Sequence, residues 1–285
     1  MNRFAITFAL VALLVVSAGA QTSYKFQTIN YPGDTFTQLL GVNDQGTAVG
    51  YHNANVFVGF SFTLPHNFTL ENYPGSAQTQ VTSIHAPGKT GGFYIDQAGT
   101  NHGFYNDGGV FTTVDYPGTT FNQILGRNGL AQLVGYYADA NNNDHPFIYG
   151  TNGGVLSLLT IPVAVSAQAT GINDSQVIVG FYIDSNNVNH GWRLNGGTFS
   201  TIDYPNSTFT QALGINNKGE IVGAYVDASN AMHGFTLQPG GTFQSIDDPN
   251  GVGTTTVNGL NDTGVLVGFY VDAEGNTDGF GAEPQ

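Results

Sequence analysis

The chain is 285 residues long; 40 of these are glycine, and only 9% carry a charged side chain. A typical soluble domain has about 7% glycine and about 25% charged residues, so this composition disfavours a salt-bridged helical bundle and favours turn-rich β-structure. The formal net charge is −14 with only six Lys and Arg residues, which excludes nucleic acid as a partner because no basic patch can form. The absence of cysteine excludes disulfides and thiolate metal sites.

The N-terminus is typical of a secretory signal peptide. Arg3 gives a positive start, residues 4–16 form an apolar run, and Ala18 and Ala20 provide small residues for cleavage before Gln21. The apolar run is shorter than the ~20 residues of a membrane span, and no second run follows it. We therefore expect residues 1–20 to be removed and the mature chain to be secreted, extracellular or periplasmic, with no membrane span.

The rest of the chain consists of six repeats. A glycine that ends a hydrophobic stretch recurs at spacings of 42, 43, 45, 43 and 45 residues, at Gly50, Gly92, Gly135, Gly180, Gly223 and Gly268. One copy contains four short strand patterns, residues 211–216, 220–226, 233–237 and 242–246, separated by turn signals. A four-stranded sheet of ~44 residues cannot bury both of its faces alone, so the copies must stack. The sequence predicts an all-β fold, a six-bladed β-propeller of four-stranded antiparallel blades.

The two ends of the mature chain predict how the ring closes. The last copy stops soon after Phe280 and lacks an outer strand, whereas the segment from Tyr24 to Gly33 matches the outer strand that begins at Val110. The N-terminal strand should therefore complete the last blade, which removes the free sheet edge of an open array. No linker composition interrupts the repeats, so residues 21–285 are predicted to form a single β-propeller domain.

The repeat motif resembles a known family. It reads Gly-Ile-Asn-Asp, then Val-Gly-Phe-Tyr-x-Asp, then a His-Gly-Phe triplet and Ile-Asp-Tyr-Pro, with the triplets at His102–Phe104, His145–Phe147, His190–Trp192 and His233–Phe235. This pattern resembles the bacterial extracellular HAF repeats, although Val58 and Asp278 replace the His in two copies and Gly or Pro replaces the family Ala. The resemblance implies an exported bacterial repeat protein. It implies no catalytic residue, because the family has no established reaction.

An acid and an imidazole recur around one loop of the repeat. The acids are Asp96, Asp139, Asp184, Asp227 and Asp272, and the imidazoles, six residues later, are His102, His145, His190 and His233. Such pairs are weak candidates for metal binding or for acid–base chemistry. The structural alternative is an Asp that accepts backbone N–H groups at the start of a loop and a His that bonds the loop in return. Recurrence in most repeats favours the structural alternative, because an active site needs one copy.

A second recurrent position is polar in every repeat. It holds Gln38, Gln80, Gln123, Gln168, Gln211 and Thr256. If the first strand is innermost, these groups should converge near one mouth of the central channel, where amides suit a hydroxyl-rich ligand or ordered water. Alternatively, they bond the neighbouring blade and hold the ring together.

Residues that differ from the repeat pattern are further candidates for a functional role. Arg127 stands where the other copies have a hydrophobic residue, namely Val42, Ile84, Ile172, Ile215 and Leu260. A buried Arg requires a carboxylate partner, and a role in ligand binding or simple sequence drift would both explain it. His85 and Lys89 mark an atypical hairpin in the second copy, and His52 lies in the copy with the shortened loop.

These observations favour a non-catalytic, secreted binding or scaffold module for a glycan or an extracellular protein. No phosphate-binding loop, nucleophile elbow or zinc-protease motif is present, so no cofactor is predicted and an enzyme is disfavoured. Two alternatives stay open: a metal-assisted hydrolase or lyase with its site at the channel mouth, and a purely structural surface protein. Metal dependence would distinguish the first alternative.

Overall fold

A computed structural model describes residues 21–63, 67–251 and 253–285. These residues form 24 strands in six four-stranded antiparallel sheets and no helix. The six-bladed β-propeller predicted from the repeats is therefore confirmed. The predicted signal peptide, residues 1–20, lies outside the described residues.

Each blade runs from an inner strand through a second and a third strand to an outer strand. Blades 1 and 2 comprise β2 (Thr37–Val42), β3 (Thr47–Asn53), β4 (Phe57–Thr63), β5 (Asn67–Leu70), β6 (Gln78–Ala86), β7 (Lys89–Ile95), β8 (Asn101–Asp107) and β9 (Val110–Val114). Blades 3 and 4 comprise β10 (Asn122–Arg127), β11 (Gln132–Ala138), β12 (Asp144–Gly150), β13 (Val155–Leu158), β14 (Ser166–Ile172), β15 (Ile178–Ile183), β16 (Asn189–Asn195) and β17 (Thr198–Ile202). Blade 5 comprises β18 (Phe209–Ile215), β19 (Ile221–Val226), β20 (Met232–Leu237) and β21 (Phe243–Ile246).

The last blade joins both ends of the chain. It contains β22 (Thr256–Leu260), β23 (Leu266–Val271), β24 (Thr277–Pro284) and, as its outer strand, β1 (Tyr24–Thr28). Phe26 pairs with Ala282 and Thr28 with Phe280, and the rings of Phe26 and Phe280 lie 5.6 Å apart. The N-terminal strand closes the ring, as the sequence predicts.

The repeat glycines are required where the inner and second strands cross. Every inner strand has a bulge in its middle, and the bulge brings its backbone against the glycine of the second strand. A Cβ on Gly223 would lie 1.8 Å from the carbonyl oxygen of Gln211, which no side chain can occupy. A second glycine faces the next inner strand: a Cβ on Gly126 would lie 2.9 Å from the Cα of Gly171. This inner-strand glycine recurs in five blades, with Ser83 in its place in blade 2, and it lets the inner strands approach one another around a narrow channel.

The core lies between the blades. The third strand of each blade contributes one fully buried aromatic side chain: Phe60, Phe104, Phe147, Trp192, Phe235 and Phe280. The tyrosine before the outer-strand proline packs beside it and stacks on a ring of the following blade; Tyr204 and Tyr225, for example, have centroids 3.6 Å apart and an interplanar angle of 3°. Hydrophobic contact between neighbouring blades thus stabilises the ring.

This topology gives the ring two different faces. The hairpin face carries the turns between inner and second strands and between third and outer strands. The loop face carries the loops between second and third strands and the connections between blades. Within the described part of the chain, no helix has the length and hydrophobicity needed to cross a membrane.

Candidate functional site

The recurrent loop acids lie on the loop face and organise their own loops. Each accepts hydrogen bonds from two backbone N–H groups, two and four residues later; for Asp96 these are Ala98 at 2.9 Å and Thr100 at 2.8 Å. The same pair of bonds forms at Asp139, Asp184, Asp227 and Asp272. Hydrogen bonding to the ionised form lowers the pKa of all five carboxyl groups. These contacts match the structural interpretation.

Three of the imidazoles lie between two carboxylates. His102 Nδ1 is 2.7 Å from Asp115, which directly follows the outer strand, and its Nε2 is 3.5 Å from Asp96 in the loop. His190 and His233 repeat this arrangement with Asp203 and Asp247. Each histidine therefore ties the loop of its blade to the outer strand.

Blade 3 lacks the acid after its outer strand, so its histidine has a different set of partners. Thr160 stands at that position, and His145 contacts the loop acid Asp139 at 2.9 Å. That hydrogen bond is the main reason why the pKa of Asp139 falls to about 2. The acids after the outer strands were not predicted as partners of the histidines. The sequence does indicate them, because Asp115, Asp203 and Asp247 occur in repeats that also have the His.

The Gln positions lie at the start of the inner strands, and their bonds stay within the ring. Tyr51 donates its hydroxyl to Gln38 at 2.6 Å, and Tyr136 does the same to Gln123 at 2.9 Å; burial raises the pKa of Tyr51 to about 12, so it remains a donor. Gln168 donates to Asp144 of the preceding blade at 2.7 Å. The bond of Gln168 is of the kind expected if the amides join neighbouring blades, whereas those of Gln38 and Gln123 stay within their own blades.

The central channel itself is lined by residues further along the inner strands. Its two cavities, of about 70 and 80 Å³, are bordered by residues that follow the Gln positions, among them Val42, Ile84 and Arg127; none of Gln38, Gln80, Gln123, Gln168, Gln211 and Thr256 lines them. Because one water occupies about 30 Å³, each cavity holds two or three waters. The Gln positions lie at the start of the inner strands, and their convergence near one mouth of the channel stays a prediction.

The mouth of the channel on the hairpin face carries a chain of amide bonds. The Asn that follows each inner strand donates its Nδ2 to the backbone carbonyl of the same Asn in the next blade, at 3.0 to 3.1 Å, through Asn128, Asn173, Asn216, Asn261 and Asn43. This series of hydrogen bonds ends at blade 2, where His85 replaces the Asn, and Nδ2 of Asn43 is buried without a partner among the described residues. The ring is therefore uniform from blade 3 through to blade 1 and interrupted at blade 2.

Arg127 is buried and has the carboxylate partner that the sequence requires. Its Nη2 donates to Asp107 of blade 2 at 2.5 Å, and its Nη1 donates to the backbone carbonyls of Thr90 at 3.0 Å and Asn106 at 3.2 Å. Its side chain is 2% exposed. Arg127 thus joins blade 3 to blade 2.

The two residues that Arg127 holds are themselves departures from the repeat. Thr90 stands where other second strands have Leu133, Ile178, Ile221 and Leu266, and Asn106 stands where other third strands have Phe62, Tyr149, Leu194 and Leu237. Both are buried, and both donate through their side chains to Oε1 of Glu71, with Asn106 Nδ2 at 2.8 Å. Glu71 in turn replaces a buried hydrophobic residue of the outer segment, such as Val114 or Ile202. These three positions were not predicted as site residues, although each differs from its counterparts when the repeats are aligned.

A cleft opens beside this polar network, between blades 1 and 2 on the hairpin face. It has a volume of about 460 Å³. Its polar lining includes Thr47, Ser61, Thr63, Thr69, Glu71 and Asn106. Ile84, Pro87 and Phe111 provide apolar surface. Because Thr90 and Asn106 are smaller than their counterparts in most other blades, they leave space that those blades fill with Leu, Tyr or Phe.

The described side chains form no metal-binding cluster. Across residues 21–63, 67–251 and 253–285, no group of three or more His, Asp or Glu side chains is arranged to hold a metal ion. Each loop His faces at most two carboxylates.

Comparison with known proteins gives the fold alone. No protein-family model matches the chain, and no curated protein sequence matches it. Among solved structures, the TolB candidate from Agrobacterium tumefaciens aligns with 93% of this chain and 99% of its own at 10% identity and a TM-score of 0.63.

Two other solved structures have different roles. A variant of the Aleuria aurantia lectin in complex with α-methyl-L-fucoside aligns at 11% identity and a TM-score of 0.55, over 86% of this chain and 90% of the lectin. Virginiamycin B lyase from Staphylococcus aureus aligns at 13% identity and a TM-score of 0.51, over 90% of this chain and 88% of the lyase. A TolB candidate, a lectin and a lyase thus have the same architecture as this chain, so function has to be argued from the site.

Proposed function

We propose that this chain is an exported, non-catalytic binding module of HAF-type repeats, and that it binds a hydroxyl-rich glycan in the cleft between blades 1 and 2. The cleft is the observation that carries the proposal. The signal-peptide pattern of residues 1–20 supports export, and the repeat motif supports the HAF assignment.

The size of the cleft favours it over the channel. Small-molecule sites usually occupy about 300–1,000 Å³, and the cleft, at about 460 Å³, lies in this range. The channel cavities, at about 70 and 80 Å³, admit only waters.

The chemistry of the lining favours a sugar. Hydroxyl groups can both donate and accept hydrogen bonds, as can the hydroxyls of a saccharide. Phe111 offers an aromatic surface for the apolar side of a sugar ring, and contacts with Tyr73 and Phe104 hold its ring in place. Few fixed charges and one aromatic wall suit a neutral, hydroxyl-rich ligand better than a charged one.

The same lining argues for binding rather than hydrolysis. Glycosidases use two carboxyl groups placed about 5 to 9.5 Å apart, whereas Glu71 is the one carboxylate among the described residues that line the cleft. A bound saccharide would have an acceptor but no acid–base pair around its glycosidic bond.

Calorimetric titration of the mature chain with a panel of neutral oligosaccharides tests the proposal. Phe111→Ala should weaken binding about tenfold, the equivalent of ~1.4 kcal/mol. Phe199 occupies the same position in blade 4, so Phe199→Ala is a matched control that should leave affinity unchanged per folded molecule. Absence of binding to every saccharide, or equal weakening by both variants, would contradict the proposal.

A further inference from the structure

We infer that Glu71 makes the cleft selective for neutral and amino sugars and against acidic ones, so that saccharides carrying an amine bind best and uronates bind worst. This inference rests on the proposed function and specifies its ligand class. The observation behind it is a half-buried carboxylate, held through one oxygen, beside a cavity whose described lining residues include no Lys, Arg or His.

First, Glu71 is held through one of its two carboxylate oxygens. Oε1 accepts hydrogen bonds from Thr90 Oγ1 and Asn106 Nδ2, so its lone pairs are engaged within the protein. Oε2 makes no hydrogen bond among the described residues. The carboxylate is therefore oriented through one oxygen and keeps the other available as an acceptor.

The second step concerns how the two donors are positioned. Thr90 and Asn106 are paired across β7 and β8, and Arg127 of blade 3 donates to the backbone carbonyls of both. Arg127 acts on Glu71 through these residues and makes its ion pair with Asp107. It is a positioning residue, and its positive charge is balanced by Asp107.

The third step concerns charge in the cleft. Among the described residues that line the cleft there is no Lys, Arg or His, and the whole chain carries a net charge of −14. An ammonium group on a bound sugar would meet the free oxygen of Glu71 as a charge-assisted partner. A carboxylate on the sugar would meet like charge without compensation, which is how binding sites reject a wrong partner. Neutral sugars fall between, because a hydroxyl can donate to the same oxygen.

Titrations with three oligosaccharides of the same length test the inference: a neutral hexose oligomer, its 2-amino counterpart and its uronate counterpart, at pH 6.5 and one low ionic strength. For the unaltered chain, we expect the amino form to bind more tightly than the neutral form, and the uronate at least about tenfold more weakly than the neutral form. The preference should weaken as salt is added, because screening reduces the charge term.

Glu71→Gln isolates the charge. This variant should lose the preference among the three ligands, and its affinity for the neutral oligomer should change less than its affinities for the amino and uronate forms. Glu274→Gln is the control, because Glu274 is exposed in a loop of blade 6 and its substitution changes the net charge equally. Equal binding of uronate and neutral oligomer by the unaltered chain, or undiminished selectivity in Glu71→Gln, would overturn the inference.

Arg127→Met tests the positioning step. Ile172 is its counterpart in blade 4 and is buried, so Ile172→Ala provides a destabilised control. Arg127→Met should reduce the ratio of amino to neutral affinity, whereas Ile172→Ala should leave that ratio unchanged even if its melting temperature is lower. A reduced ratio in both variants, or an unchanged ratio in Arg127→Met, would contradict the positioning role.

The outcomes separate the two proposals. If no saccharide of any class binds, the proposed function itself fails. If binding depends on Phe111 but the three ligands bind Glu71→Gln and the unaltered chain alike, the proposed function stands and the inference about charge fails.

Discussion

Asn30 Nδ2 donates to Asp278 Oδ1 at 2.6 Å, and Asn30 Oδ1 accepts the backbone N–H of Gly279 at 3.1 Å. The two residues are 248 positions apart in the chain. In blades 2, 4 and 5 the same two positions hold an acid and a histidine, as in Asp115 and His102. Blade 6 therefore has the same link between its third strand and the residue after its outer strand as these blades. In blade 6, however, the acid lies on the third strand, and the two linked residues come from opposite ends of the polypeptide.

Removal of the closing strand should destabilise the ring severely. Deletion of residues 21–31 uncovers Phe280 and removes Phe26 and Ile29 from the apolar contacts of blades 6 and 1. Burial of one large apolar side chain contributes about 1.5–3 kcal/mol, and 1 kcal/mol shifts the melting temperature by about 2–4 °C at this size. We expect a decrease of at least ~6 °C, or aggregation through the exposed edge of β24, in thermal melts followed by circular dichroism.

Lys25→Ala provides a control for this deletion, because Lys25 lies in the same strand with an exposed side chain. It should melt with the unaltered chain. An unchanged melt of the deletion variant would contradict the closed ring.

The repeat glycine should tolerate no side chain. Gly223→Ala places a Cβ 1.8 Å from the carbonyl oxygen of Gln211, and this contact can be relieved only if the two strands separate. We expect a loss of more than ~4 kcal/mol or no folding at all, as judged by urea denaturation. Gly240→Ala is the matched control: its Cβ would meet nothing within 4 Å and its φ is not positive, so stability should change by less than ~0.5 kcal/mol. Similar stability of the two variants would argue against the bulged crossing of β18 and β19.

Val163 is strained, and its replacement should stabilise the protein. Its φ is +66°, a conformation that a β-branched residue adopts only at a cost. The equivalent turns of three other repeats have Gly33, Gly75 and Gly118, all with positive φ. Because Val163 is 71% exposed, its side chain contributes little packing. Val163→Gly should therefore increase the unfolding free energy by about 1 kcal/mol in urea titrations.

The reverse change in a sister turn should show the same cost. Gly118→Val introduces a β-branched residue at φ +84° with open space around its Cβ and should lower stability by about 1–2 kcal/mol. A lower stability of Val163→Gly would mean that the Val163 side chain makes contacts that outweigh the strain.

The repeat pattern was sufficient to predict most of the fold but little of the candidate site. Glycine spacing, turn signals and the match between Tyr24–Thr28 and other outer strands were sufficient for blade number, strand order and ring closure, because each follows from a feature present six times. Glu71, Thr90 and Asn106 each replace a hydrophobic residue once, and a single departure cannot be told from drift until the fold brings the three together. The Gln positions are a different case: periodicity places them in the inner strand, but neighbouring side chains such as Tyr51 and Tyr136 decide which hydrogen bonds they make.

Acid should weaken the loops of the loop face in a defined pH range. The pKa of Asp139 is about 2 in the folded chain, lowered chiefly by the hydrogen bond to His145 and then by the N–H of Asn143, against an ordinary value of 3.8. A carboxyl group with a lowered pKa stabilises the fold fully above its ordinary value, and this contribution is lost as the pH falls from about 4 to about 2. Asp139→Asn should thus melt below the unaltered chain at pH 6, and the difference should shrink as the pH approaches 2. Asp262→Asn is the control, since its pairs lie at the channel mouth and any loss there should not depend on His145. If the Asp139→Asn difference is the same at pH 6 and pH 2, the ionised carboxylate is not what holds the loop, and the hydrogen-bonded role assigned to the five recurrent acids is wrong.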